Sequence, residues 1–188
     1  VISLKKGAEK DQGIVISEQE RLHHDAGAVL NLNPVVNGIR KSGAFGFDPV
    51  MRGFKYDQLN VVIDGFHAAN AACPNRMDPP TSQVALNRIK QVEILKGPHA
   101  LRYGIGLGGT INYIQEDPNF GSSGLYGRFS TMYESNGNVF RNEGRIGFSG
   151  EGHDVGIMGS WSSGGDYQDG NGAIVPANFT RGTLGLYG

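Results

Sequence analysis

One cysteine, Cys73, is all that the 188 residues contain, so no disulfide can form within the chain. A lone thiol fixes no redox compartment, because it persists in either kind. A dominant charge sign is lacking too: 17 Lys and Arg face 18 Asp and Glu, for a formal net charge of −1. That balance excludes a broad basic surface for nucleic acid. No stretch reaches the length of about 18 apolar residues that a transmembrane helix needs. The sequence opens at Val1 without a methionine or a signal peptide. The expectation is that a targeting segment has been removed or that the sequence is a fragment of a longer chain. What is present in excess is glycine. Thirty glycines are more than twice the share of about 7% in an average chain. They are spread through patterned segments, which marks turns and close packing rather than a collagen repeat. The length suffices for one ordinary domain with a real core.

Residues 1–120 read as mixed α/β. Residues 21–33 carry Leu22, Ala26, Val29 and Leu30 on one side, which predicts a helix. Residues 58–65, 89–96 and 110–114 predict three strands, with a helical turn over 84–89 after the Pro79-Pro80 stop. Residues 13–17 are a candidate first strand. The glycine run Gly104-Ile105-Gly106-Leu107-Gly108-Gly109 lacks the G-x-G-x-x-G spacing, and a strand pattern follows it where a nucleotide site needs a helix. It reads as a tight turn.

The character changes near Phe120. Leu125, Gly127, Phe129, Thr131 and Tyr133 alternate with Tyr126, Arg128, Ser130 and Met132. Phe140, Gly144, Ile146 and Phe148 alternate with Arg141, Glu143, Arg145 and Ser149, and Val155, Ile157, Gly159 and Trp161 with Gly156, Met158, Ser160 and Ser162. Runs of about ten residues separated by turns fit a transmembrane β-barrel, with Tyr133 and Trp161 in an interfacial girdle. A soluble sandwich with one wet face uses the same pattern, so periodicity alone leaves both open.

Cys73 and Met77 place two soft sulfur donors in the proline-bounded segment Ala72-Cys73-Pro74-Asn75-Arg76-Met77-Asp78-Pro79-Pro80. Thiolate and thioether together favour Cu(I) over hard cations. A buried thiol near an unrelated methionine, both used for packing, is the alternative. If 73–77 is helical, the spacing puts both sulfurs on one face. Pro74 then fits the first turn, and Cys73 sits at the helix start, where the dipole lowers a thiol pKa. Arg76 and Asp78 flank the pair, and Pro79 and Pro80 stiffen its exit. His67 and His99 are candidate further donors, against the reading of each as a histidine that serves no metal. His23-His24 read as a solvated helix face, and Met51 and Met132 as packing.

Asp48-Pro49-Val50-Met51-Arg52-Gly53-Phe54 resembles the arginine–glycine segment of the plug domain of TonB-dependent outer-membrane receptors. Asn60-Val61-Val62-Ile63-Asp64-Gly65-Phe66 is similar to that family's strand ending in Asp-Gly. The most specific stretch is Val92-Glu93-Ile94-Leu95-Lys96-Gly97-Pro98, continued by Arg102-Tyr103-Gly104 and Gly108-Gly109-Thr110-Ile111-Asn112. The resemblance covers roughly residues 30–120. It implies an α/β plug domain over 1–120, followed over 121–188 by the first three or four strands of an antiparallel transmembrane β-barrel. So few strands make an incomplete barrel, because closure needs every edge paired. The location implied is the bacterial cell outer membrane, in contact with its lipid. The activity implied is that of a receptor and importer, not an enzyme. Substrate binds the outer face of the plug, the periplasmic TonB protein pulls on the N-terminus, and the plug remodels. Val1-Ile2-Ser3-Leu4 is a candidate remnant of the TonB-contacting strand. A barrel of about 22 strands leaves a wide lumen, and Arg128, Arg141, Glu143 and Arg145 are expected to hold the plug in it through individually weak contacts.

Within the family, Cys73-Pro74-Asn75-Arg76-Met77-Asp78 with Pro80-Thr81-Ser82 resembles the copper receptors of the OprC/NosA type, departing at Gln83, where an aromatic is expected. That resemblance implies Cys73 and Met77 as metal ligands and copper, as Cu(I), as the transported substrate. It also implies a His-x-Met pair from the barrel, which this sequence does not contain. The alternative functions are import of a ferric siderophore or another metal chelate, with Cys73 merely buried, and a soluble β-rich protein sharing the pattern.

Overall fold

The computed structural model describes residues 12–23, 25–41, 46–67, 79–120 and 123–188. Two β systems lie side by side. The first is a five-stranded sheet in the order β1-β7-β8-β5-β6. Its strands are β1 (Gln12–Val15), β5 (Leu59–Ile63), β6 (Phe66–His67), β7 (Ile89–Leu95) and β8 (Gly109–Gln115). β5 and β8 run parallel, and the other pairings are antiparallel. A three-stranded sheet, β2 (Val36–Arg40), β3 (Phe47–Met51) and β4 (Phe54–Lys55), packs beside it. The core joins Val29, Leu30, Val36, Met51, Leu86, Val92, Ile94, Ile111 and Tyr113, all but inaccessible to solvent.

The strands expected over 13–17, 58–65, 89–96 and 110–114 are all present, and the turn over 84–89 is a short 3-10 helix, Leu86–Arg88. The helix expected over 21–33 is instead two, α1 (Glu18–Arg21) and α2 (Ala26–Leu30). Asp25 makes the break. Its carboxylate caps α2 at Gly27 N–H (2.8 Å) and also accepts the N–H groups of Gly46 (2.6 Å) and Phe47 (2.9 Å). That anchors α2 to β3, and a capping Asp needs extended backbone where a through-helix would need αR. Ser17 and Glu20 close a capping box on α1.

Two of the quoted motifs have a common physical role. Arg52-Gly53 joins β3 to β4 and Asp64-Gly65 joins β5 to β6, and all four residues have positive φ. Two-residue hairpins demand this conformation because it matches strand twist, and glycine takes it without strain. Gly109 is constrained on two counts: its φ is +134°, and an added Cβ would meet the Met51 methyl and the Leu95 carbonyl.

The second system is a four-stranded antiparallel sheet, β9 (Gly124–Glu134), β10 (Val139–Gly150), β11 (His153–Gly164) and β14 (Phe179–Tyr187), in the order β14-β11-β10-β9. A small hairpin, β12 (Tyr167–Gln168) with β13 (Ile174–Val175), lies in the link between β11 and β14. The expected alternation holds: Leu125, Phe129, Tyr133, Phe140, Ile146, Phe148, Val155, Ile157, Trp161, Leu184 and Leu186 are exposed. Their polar alternates face the plug. This is a segment of barrel wall with its lipid face outward, and the wet-faced sandwich is set aside because the apolar face is the exposed one.

Candidate functional site

The wall fixes which end is which. Membrane barrels keep short turns on the periplasmic side and longer loops outside. β10 and β11 are joined by Glu151 and Gly152 alone, whereas residues 165–178 link β11 to β14. The β9–β10 turn lies at the same end as that longer link, because Asn136 and the Gln168 backbone exchange two 2.9 Å hydrogen bonds. Inner and outer ends follow.

Cross-strand register sorts the inward side chains into rows. From the inner end these are Tyr126-Gly147-Gly156-Tyr187, Arg128-Arg145-Met158-Gly185, Ser130-Glu143-Ser160-Thr183 and Met132-Arg141-Ser162-Arg181. The plug touches them in order. At the inner end Asn119 N–H donates to Asp154 at 2.9 Å, and Tyr126 O–H donates to the same carboxylate. Tyr126 and Tyr187 meet through their hydroxyls at 2.9 Å, lying over Gly147 and Gly156, where any Cβ would strike the rings. The Arg88 guanidinium of the plug stacks on the Tyr187 ring, 3.9 Å from its centroid.

In the next row Glu116, just past β8, is gripped by Arg21 of α1 and by Arg145 of the wall. Burial alone would raise the Glu116 carboxyl, but the hydrogen bonds and charges of the two arginines outweigh it and hold it below its ordinary value. Arg128 donates to the Asn87 carbonyl at 2.6 Å and reaches Glu18 at 3.2 Å. Farther out, Arg181 donates to the Ser82 carbonyl. Of the four wall residues expected to hold the plug, Arg128 and Arg145 do so. Glu143 instead pairs within the wall, with Arg128 at 3.4 Å and Arg141 at 3.3 Å. Arg181, Tyr187, Asp154 and Glu116 carry as much of the seam and were not read from the sequence.

Cys73 and Met77, with Arg76 and Asp78, lie outside the described residues, as do His24 and Val1-Ile2-Ser3-Leu4. The chain resumes at Pro79, which precedes the 3-10 helix Pro80–Gln83. Thr81 ties this helix to the Phe47 carbonyl at 2.8 Å, and the Arg181 contact sets Ser82 beside the outermost of the four rows. Before the gap, His67 of β6 is exposed and its Nε2 lies 2.6 Å from the Tyr103 carbonyl. A carbonyl only accepts, so Nε2 is the donor in this contact. A histidine that donates one ring N–H to a carbonyl is oriented as metal-ligating histidines are. His99 is exposed in the 3-10 helix Gly97–Tyr103, and Met51 is wholly buried in the core. Met132 lies on the inward row with Arg141. His23 follows α1 rather than lying on a helix face. Among the described residues no group of three or more His, Cys, Asp or Glu is arranged to hold a metal.

Residues 16–110 match the family model of the TonB-dependent receptor plug domain. Among solved structures, the copper transporter OprC is similar at a TM-score of 0.81 and 28% identity, over 93% of this chain and 27% of that one. The Serratia marcescens hemophore receptor HasR, in complex with its hemophore HasA and heme, gives 0.73 and 20%, over 92% and 28%. The ferric enterobactin receptor PfeA of Pseudomonas aeruginosa gives 0.61 and 17%, over 84% and 25%. The chain therefore spans about a quarter of the length of these structures. Comparison with curated proteins gives no significant match.

Proposed function

The chain belongs to the TonB-dependent receptor plug-domain family of the bacterial outer membrane, and from that premise we propose that it is the N-terminal part of a receptor that imports copper. Residues 1–120 are the plug, and 121–188 are the first strands of the barrel around it. The observation that carries the reading is the pair Cys73 and Met77 in a chain 28% identical to a copper transporter. The described chain resumes after that pair in a 3-10 helix pinned to the outer part of the wall, on the side from which substrate arrives.

Copper, as Cu(I), is bound by the Cys73 thiolate and the Met77 thioether, a donor set that selects it over harder cations. Energy from the inner membrane reaches the plug through TonB, and displacement of the plug releases the ion inward. No catalysis is involved. Full-length receptor titrated with Cu(I) is expected to bind one ion and to lose it in Cys73→Ala. Undiminished binding in that variant removes Cys73 as a ligand. Growth on chelated iron that depends on the receptor, with no copper phenotype, favours the siderophore reading.

A further inference from the structure

We propose that the lipid-facing side of the wall seats one amide-linked fatty acyl chain of an outer-leaflet glycolipid, in a groove floored by Gly144 and Gly159. This goes beyond the copper reading and rests only on the outer-membrane wall described above. Register sets Phe129, Gly144, Gly159 and Leu184 in one outward row across the four strands. The two glycines leave a hollow of about 290 Å³ between Phe129 and Leu184, bounded toward the inner end by Ile146 and Ile157. A second hollow of about 310 Å³ shares Phe129 and both glycines and extends toward the outer end, to Asn142 and Trp161.

The inward side of the same two strands gives the contrast. There a Cβ at Gly147 or Gly156 would come within 2.5 Å or 2.4 Å of the Tyr187 hydroxyl, so tyrosines fill the space the glycines leave. On the outward side a Cβ at Gly144 would come no closer than 3.4 Å, to the Phe129 ring, and one at Gly159 no closer than 3.3 Å, to the Thr183 carbonyl. Neither residue has a positive φ. A side chain there asks only a few tenths of an ångström of its neighbours, and an apolar one would add burial in hydrocarbon. Packing within the chain therefore does not account for this pair of glycines. The bilayer core holds no water to fill a groove, and an acyl chain does fill it.

The outer end of the groove selects the linkage. The next row outward is Thr131, Asn142, Trp161 and Gly182, whereas the rows on the other side, such as Gly127-Ile146-Ile157-Leu186, are wholly apolar. The polar row thus marks the outer limit of the hydrocarbon, where a tryptophan sits at the interface. The Asn142 amide and the Trp161 N–H have no hydrogen-bond partner among the described residues, and polar groups at this depth are costly unless paired. Asn142 both donates and accepts, and Trp161 only donates. An ester-linked chain offers acceptors alone. An amide-linked chain offers a carbonyl to Trp161 or Asn142 and an N–H to the Asn142 oxygen. A second copy of the wall would bring apolar side chains and leave Asn142 unpaired.

The test uses full-length receptor reconstituted in bilayers of equimolar lipid A and phosphatidylethanolamine, then extracted in mild detergent and weighed by native mass spectrometry. Gly144→Leu combined with Gly159→Leu is expected to lose one lipid A that the wild type retains. Asn142→Leu keeps the groove and is expected to exchange that lipid A for phospholipid, with about a tenfold loss of preference. It also serves should the double variant fail to fold. Equal retention of lipid A in wild type and double variant overturns the proposal, as does an Asn142→Leu receptor with the wild-type preference. A dimer that the double variant dissolves also overturns it, by placing a second copy in the groove.

Discussion

Val92 and Ile94 in the plug, and Leu184 and Leu186 in the wall, are alternate residues on their strands, yet the first pair is 0% and 1% exposed and the second 85% and 81%. The plug encloses its own apolar interior, so its sheet is stabilised by contacts within the chain. The wall turns its apolar residues outward and its charged ones toward the plug, so lipid completes one face and the plug the other. Burial of a Val, Leu or Ile side chain contributes about 1.5–3 kcal/mol, and in the wall that contribution exists only where hydrocarbon surrounds it. The seam between them is made of arginines, backbone carbonyls, the Tyr187 ring and the carboxylates of Glu18, Glu116 and Asp154, contacts that water can replace one at a time.

The contrast breaks most completely at Gly109. A valine there meets a positive φ and the Met51 and Leu95 atoms together, and is expected to cost about 4 kcal/mol or more. The plug should become protease-sensitive while the barrel keeps its heat-modifiable mobility on gels; a resistant plug would contradict the packing described. A pair of substitutions sharpens the contrast. Leu86→Ala, in the plug core, is expected to destabilise by about 2–5 kcal/mol in detergent and bilayer alike. Leu184→Arg, midway along a lipid-facing strand, is expected to cost about 2–4 kcal/mol in a bilayer. Equal effects of Leu184→Arg in bilayer and in aqueous denaturant would mean that this face does not see lipid.

The smallest effect belongs to the seam. Glu116→Gln removes a charge held by two arginines and is expected to loosen plug from wall by about 1–2 kcal/mol. Because the folded-state pKa of Glu116 is depressed, its contribution is present above the ordinary carboxylate value and lost as pH falls through the lower, folded one. Protection of α1 amides from hydrogen exchange, corrected for the intrinsic rate at each pH, should therefore fall on acidification in the wild type. In Glu116→Gln it should start low and respond less; identical pH profiles would remove Glu116 as the grip.

Local chemistry made much of this legible. The period-two alternation of β9, β10 and β11 located those strands one by one, although only the resemblance made them barrel wall, and Asp64-Gly65 marked where its strand ends. The break between α1 and α2 was also written in the sequence, as Asp25 ahead of Ala26 and Gly27, but the apolar spacing of Leu22, Ala26 and Val29 ran across it. β3 escaped pattern reading because it contains Pro49; the proline is in register with Gly38 of β2 but lies beyond the stretch that β4 pairs, Val50 and Met51, so one edge of β3 is open there. The seam was the least legible part. Arg181 with Ser82, and Arg88 with Tyr187, join residues about a hundred positions apart, and no local period encodes such partners.

The one tryptophan of the chain, Trp161, projects from the lipid-facing side of β11, away from every plug contact. Its side chain therefore meets the membrane and not the plug: in a receptor whose only tryptophan is Trp161, brominated acyl chains should quench the emission, while extraction of the plug should leave the emission maximum unmoved.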